Sequence, residues 1–346
     1  MKNETMIFKD KELKLIDQRK LPGEIEYFSC KDYRDAEFAI SDMVVRGAPA
    51  IGAAAAYGFY LAALEFAELD KAELKKELIK AAEELIAARP TAVNLSWAVE
   101  QLLDLALDNL DNTKKDFLTI LKNKAEEIAE SDRKINKKMA ENGNKLIKEN
   151  AVILTHCNAG ALATVEYGTA LGVIREAHFS GKNIKVFADE TRPRLQGARL
   201  TAFELLEEGI DVTLIADSTA ATLIRDGKID YIITGADRIA ANGDTANKIG
   251  TFMLSELAKN FNVPFYVAAP LSTIDRKLDS GSQIEIEERD SREITHIEGV
   301  QIAPENVKVY NPAFDLTPAE NITAIITEKG IVKNPDKKSI AELFQA

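Results

Sequence analysis

Residues 231–270, YIITGADRIAANGDTANKIGTFMLSELAKNFNVPFYVAAP, decide the reading of the fold. An apolar run, YIITGAD (231–237), ends at a carboxylate and leads through a loop into NKIGTFMLSELAKNF (247–261), which reads as a helix. A second apolar run, VPFYVAAP (263–270), follows at once. Strands that are apolar throughout, rather than alternating, are buried on both faces. With helices between them they form a parallel sheet.

The same grammar extends upstream. AVILTH (151–156) leads through a Gly/Ala/Thr-rich loop to a helix ending near Ile174. IKVFAD (184–189) precedes the helix LQGARLTAFELLEEG (195–209), with Gly209 as its C-cap. DVTLIAD (211–217) precedes Ser218, an expected N-cap, and TAATLIRDG (219–227). The prediction is a doubly wound α/β domain. Ligands in such sheets sit at the carboxyl ends of strands. Those ends carry Cys157, Asp189–Glu190, Asp217, Asp237 and Pro270.

The first part of the chain has another texture. MIFKDKELKLIDQ (6–18) and EIEYF (24–28) read as short strands, and residues 33–148 as helices. In KAELKKELIKAAEELIAAR (71–89), Leu74, Leu78, Ala81, Ala82 and Leu85 recur near a period of 3.6. Arg89-Pro90-Thr91 stops that helix. LSWAVEQLLDLALDNL (95–110) gives another, and a long charged helix starts at Lys114, with DRKINKK (132–138) as a solvated face. We therefore expect a mostly helical domain with a few short strands over 1–145, and a parallel-sheet domain over 146–346.

Composition narrows the function. At 346 residues, 46% hydrophobic and 29% charged, the chain reads as a globular enzyme of two domains. A formal charge of −12 opposes nucleic-acid binding. Two cysteines make no disulfide framework, and three histidines offer no zinc spacing. No phosphate-loop or GxGxxG motif is present. The uncharged stretch Ala48–Leu64 is interrupted by Pro49, Gly52 and Gly58 and reads as a buried helix, not a membrane span. The charged N-terminus has no apolar signal region, so the expected location is cytoplasmic.

Several residues could carry chemistry. Asp237 ends an apolar strand, where desolvation would suit it to proton transfer; the alternative is a capping role. Cys157 precedes Asn158-Ala159-Gly160, a break that lets backbone approach a ligand; the alternative is a small buried side chain. His156 should face away from Cys157 and be structural. Arg46-Gly47-Ala48-Pro49 opens a helix, with Pro49 at its first position, and could bind an anion, or be a plain turn. Asn247 and Lys248 open another helix; a lysine there opposes the helix dipole, which an anionic substrate would explain, as would surface solubility. DETRPRLQG (189–197) could reach a polyhydroxyl ligand or form a salt-bridge network.

RGAPAIG (46–52), ARPTAVNLSWA (88–98), THCNAGALAT (155–164), YGTALGVI (167–174), DETRPRLQGARLTA (189–202), TGADRIAANGDTANKIGT (234–251) and VYNPAFDLTP (309–318) together resemble the methylthioribose-1-phosphate isomerase family of the initiation-factor-two-B-like superfamily. The resemblance implies a homodimer, a mostly helical N-terminal domain and a Rossmann-like C-terminal one, with no metal and no redox cofactor. It implies interconversion of 5-methylthio-α-D-ribose 1-phosphate and 5-methylthio-D-ribulose 1-phosphate in methionine salvage. Asp237 matches the family's proton donor and Cys157 its second catalytic residue. Arg46, Gly47, Ala48, Arg89, Gln196, Asn247 and Lys248 match its substrate contacts. Relatives acting on 5-deoxyribose 1-phosphate, or serving as non-catalytic initiation-factor regulatory subunits, share the fold and are the alternatives.

Overall fold

In the computed structural model, which describes residues 3–90 and 92–345, the chain divides into two compact units. One comprises Met1–Ile135 with Gly160–Gly168, the other Asn136–Ala159 with Thr169–Ala346. The division falls before the 145/146 junction read from the sequence, and a short loop after the Cys157 turn returns to the first unit.

The first unit opens with strands β1 (Met6–Lys9), β2 (Glu12–Ile16) and β3 (Tyr27–Cys30), all antiparallel neighbours in the order β1-β2-β3. Asp10 and Lys11, both at positive φ, make the tight turn between the first two. Helices α1 (Tyr33–Ser41), α2 (Ala48–Phe66), α3 (Lys71–Ala87), α4 (Val93–Asp108) and α5 (Lys114–Asn144) follow. Asp32 and Asp70 cap α1 and α3 by accepting backbone N–H groups of the first turn. Helix α3 ends at Ala87, just before the expected stop; Thr91 of that stop lies outside the described residues.

Helix α2 is the centre of this unit. Its alanines allow α1, α3 and α4 to approach closely, and nearly all of its residues from Ala50 to Ala63 are buried. Phe8 of β1 stacks on Tyr57 with ring centroids 4.6 Å apart. By length and composition α2 could cross a membrane, but 83% of that window is buried inside the protein. It is a core helix, as its interrupted sequence implied.

The second unit contains β4 (Val152–Thr155), α6 (Ala170–Phe179), β5 (Lys185–Asp189), α7 (Ala202–Glu207), β6 (Asp211–Ile215), α8 (Thr219–Arg225), β7 (Tyr231–Thr234), β8 (Arg238–Ala240), β9 (Thr245–Lys248), α9 (Thr251–Phe261), β10 (Phe265–Ala268) and β11 (Ile274–Asp275). A short helix, α10 (Arg292–Thr295), and a hairpin of β12 (His296–Ile297) and β13 (Val300–Gln301) come next. Strands β14 (Phe314–Thr317), β15 (Ala324–Thr327) and β16 (Gly330–Lys333) precede α11 (Lys337–Glu342).

The main sheet has the order β16-β15-β10-β7-β4-β5-β6. It is parallel except for β16, which pairs antiparallel with β15 at one edge. The chain moves from β4 outward through β5 to β6, then returns to β7 on the other side of β4. Its direction of winding therefore reverses between β4 and β7, and such a switch point opens a crevice at the carboxyl ends of the two strands. Strands β7, β10 and β15 are buried along their whole length, which is why their sequences are apolar throughout.

Four local expectations are corrected. Ser218 precedes α8 but accepts no capping hydrogen bond, because its own backbone is already helical. The helix following β4 continues past Ile174 to Phe179. Pro49 sits second in α2, after Ala48, because Gly47 at φ +93° forms the cap. Asn247 and Lys248 are not helical: they end β9, in a second sheet of order β11-β8-β9-β14, where Asn247 lies opposite Asp315 and Lys248 opposite Phe314.

Candidate active site

Cys157 follows β4, and Asp237 lies just beyond β7, on the two strands flanking the switch point. Cys157 holds φ +60°, which is strained for a residue with a side chain. Its surroundings fix that conformation. Its N–H donates to Thr191 Oγ1 at 2.8 Å, and its carbonyl accepts from the Thr201 hydroxyl at 2.6 Å. Thr191 is itself at φ +61°, and Asp217 accepts the N–H groups of Thr191 and Arg192 at 2.7 and 2.8 Å.

The next residue is held as firmly. The Asn158 amide donates to Thr201 Oγ1 at 3.1 Å and to Glu204 Oε1 at 2.9 Å. Glu204 is fully buried and pairs with Arg175 at 2.6 Å; Arg175 also pairs with Glu208 at 2.5 Å. Thr201 ends a π-helical turn, Gly197–Thr201, that leads into α7; such turns often occur at functional sites. Cys157 itself is half-buried.

Lys248 is 5% exposed. Its Nζ donates to the Ala313 carbonyl at 2.9 Å and lies 4.5 Å from the Phe314 ring centroid. Burial pushes its pKa down, partly offset by charge at Cys157 and Asp237, while Arg289 pushes the same way as burial. Lys248 is thus electrostatically coupled to both proposed catalytic residues. A lysine this buried is not there for solubility. Asn247 is also buried and donates to Thr251 Oγ1 at 3.0 Å. Gln196 is 7% exposed, and its Oε1 has no hydrogen-bond partner in the protein. A buried amide oxygen of this kind suits a ligand hydroxyl.

Asp237 departs from expectation. Gly235 and Ala236 carry the chain out of β7, and the carboxylate is exposed rather than desolvated. Its backbone N–H donates to the Ala246 carbonyl at 2.9 Å, which ties it to β9.

The remaining expected contacts belong to the first unit. Arg46, Gly47 and Ala48 form the entry to α2, and Arg89 follows the end of α3; all four are partly buried. A Cβ added at Gly47 would lie 2.4 Å from both Cα and O of Ala163. Only glycine fits this position.

Asp315, Arg289 and Arg175 escaped the sequence reading, and His156 does more than the structural role read for it. His156 is buried, as its structural assignment implied, but it bridges Asp189 and the Ile249 carbonyl at 2.8 Å each. Asp315 accepts the N–H groups of Gly250 and Phe252 at 2.7 and 3.0 Å. Burial raises its pKa to about 6 against the pull of those bonds. Arg289, beside the Phe314 ring and paired with Glu287 at 3.2 Å, adds a second cation near Lys248. Arg175 anchors the Asn158 side chain through Glu204. The available signals were an acid within VYNPAFDLTP and a histidine beside Cys157; the Arg289 and Arg175 contacts are long-range.

His156, Asp189 and Asp217 place ligand-type atoms within 4.8 Å of one another. Both ring nitrogens of His156 and both oxygens of Asp217 are already engaged in hydrogen bonds. The group is a hydrogen-bonded scaffold behind Cys157.

A family model described as the initiation factor 2 subunit family matches residues 44–334. Methylthioribose-1-phosphate isomerase of Thermoanaerobacter sp. (strain X514) is 66% identical over 97% of both chains. That of Caldanaerobacter subterraneus subsp. tengcongensis is 63% identical over 98% of both. The crystal structure of 5-methylthioribose 1-phosphate isomerase from Pyrococcus horikoshii OT3 matches with a TM-score of 0.94 at 45% identity, covering 99% of this chain and 96% of that one. A structure named as translation initiation factor eIF-2B, subunit delta, from A. fulgidus matches with a TM-score of 0.91 at 47% identity, covering 99% of each chain.

Proposed function

The chain belongs to the initiation factor 2 subunit family, and we propose that it acts there as an aldose–ketose isomerase. It converts 5-methylthio-α-D-ribose 1-phosphate into 5-methylthio-D-ribulose 1-phosphate, a step of methionine salvage. Relatives named for that isomerase cover nearly the whole chain. The observation that carries the reading is the placement of Cys157 and Asp237 on either side of the sheet's switch point, both coupled to buried Lys248.

The chemistry needs such a set. An aldose phosphorylated on its anomeric oxygen has no free aldehyde, so an acid must first protonate the ring oxygen and break its bond to C1. Asp237 is that acid, and bound substrate excludes water from it. Hydrogen then moves from C2 to C1, and the C2 hydroxyl loses its proton to give the ketone. Atoms balance whether that hydrogen travels as a proton or a hydride. Cys157 assists this step from a fixed backbone. Lys248, Asn247 and Gln196 contact substrate, and Arg46, Gly47, Ala48 and Arg89 are further contacts on the strength of the family resemblance. The scheme calls on no metal or cofactor.

The A. fulgidus neighbour is named as an initiation-factor subunit. A binding subunit has no need for a cysteine held at positive φ within electrostatic reach of a buried ammonium, and this favours catalysis. We extend the proposal to a homodimer in the cytoplasm, where Cys30 and Cys157, which form no disulfide, would stay reduced. The test is kinetic. Asp237→Asn and Cys157→Ser should fold, yet each should lose at least ~10²-fold in kcat, the scale of a lost proton-transfer group. Near-normal turnover by either folded variant would remove that residue from the scheme.

A further inference from the structure

We propose that His156 is a positioning residue for the isomerisation, clamping the Cys157 turn to the strand end that carries Lys248; the inference rests on the function just proposed. The imidazole is 1% exposed and Asp189 fully buried. Nε2 lies 2.8 Å from the Ile249 carbonyl oxygen, which can only accept, so Nε2 bears a hydrogen. Nδ1 lies 2.8 Å from Asp189 Oδ2, so one proton is shared between ring and acid. Burial opposes a charged ring, but Asp189 and the Ile249 carbonyl outweigh it and raise the ring's pKa. Asp217 adds to that rise, and Asp315 also lies within electrostatic reach.

Each end of the clamp adjoins a site residue. His156 precedes Cys157 directly, and Ile249 follows Lys248 directly. The turn after Lys248 is shaped to receive the ring: Gly250 is at φ +105°, and a Cβ there would lie 2.9 Å from His156 Cε1. Asp315 holds the far side of the same turn through the Gly250 and Phe252 N–H groups. Because both ring nitrogens are engaged and the ring is buried, His156 exchanges no proton with substrate. Its effect is on where the thiol and the ammonium stand. Misplacing reacting groups by ~1 Å lowers rates by ~10²-fold.

The test compares His156→Leu, His156→Gln and Asp189→Asn with the wild-type full chain, after circular dichroism and thermal melts establish folding. Two quantities are read: kcat on methylthioribose 1-phosphate, and the rate of iodoacetamide labelling at Cys157 by mass spectrometry. Cys30, buried with its thiol pushed up to about 12, is the silent internal control. His156→Leu should lower kcat by ~10²-fold and change Cys157 labelling at least ~3-fold. His156→Gln, which can still donate to the Ile249 carbonyl, should recover at least ~10-fold in kcat over the leucine variant. Asp189→Asn keeps both hydrogen bonds and should stay within ~10-fold of wild type.

A folded His156→Leu with wild-type kcat and labelling, even with a lower melting temperature, would overturn the proposal. So would an Asp189→Asn loss as deep as that of leucine, since charge and not position would then be at stake. Should the leucine variant not fold, His156→Asn, polar but too short to reach the Ile249 carbonyl, decides: reduced kcat with altered labelling supports the clamp, and wild-type values refute it. If the wild type does not turn over the sugar phosphate, the functional reading fails, while the labelling comparison still decides the clamp.

Discussion

Asp315→Asn should remove a stabilisation that the protein gains on acidification. Asp315 on β14 accepts two N–H groups at the start of α9, which favour its ionised form. Burial is the larger effect and lifts its pKa from 3.8 to about 6. A carboxyl with a raised folded-state pKa binds its proton more tightly when folded. Its contribution to stability is therefore complete below about pH 4 and is lost as pH rises through about 6. At 1.36 kcal/mol per pH unit this is at most roughly 3 kcal/mol, and residual solvent access lowers it to ~2 kcal/mol. Asparagine has nearly the same shape and no such titration. Urea unfolding of both proteins from pH 4 to 8 gives the stability difference at each pH, with other titrating groups largely cancelling. The difference should move by ~2 kcal/mol in favour of Asp315→Asn between pH 4 and 7. A difference constant within ~0.5 kcal/mol, or a move the other way, would refute the reasoning.

Gly47→Ala should destabilise the first unit by at least ~3 kcal/mol, combining positive-φ strain with a Cβ placed against the Ala163 backbone. A loss under ~1 kcal/mol by urea unfolding would mean that the entry to α2 is not as rigid as its contacts imply. The proposed homodimer predicts a light-scattering mass of twice the chain across dilution; a concentration-independent single-chain mass would contradict it.

The parallel sheet was legible because strands buried on both faces cannot hide their composition: YIIT, FYVA and AIIT are apolar at nearly every position. Strand ends then placed Cys157 and Asp237 without further information. The second sheet was not legible. TANK is short and half polar, and its partner FDLT lies more than sixty residues downstream, so Asn247 and Lys248 read as the start of the helix that follows. The exposure of Asp237 depends on how Gly235 and Ala236 leave the sheet, which local pattern does not encode. The clamp at His156 joins side chain to backbone across long stretches of sequence, and only the histidine half was visible. The role of Arg89 came from resemblance alone, while Arg46-Gly47-Ala48 and the segment holding Gln196 had a pattern reading that left a plain turn or a salt-bridge network equally open.

The central claim is tested most directly by side-by-side steady-state kinetics of the purified protein on methylthioribose 1-phosphate and 5-deoxyribose 1-phosphate. The account predicts formation of the ketose 1-phosphate from the methylthio substrate without added metal or cofactor, at a kcat/KM at least ~10-fold above that for the deoxy sugar, the lower end of what a hydrophobic group in a complementary site provides. No turnover of either substrate would contradict the account, and a preference for the deoxy sugar would keep the chemistry but reassign the substrate.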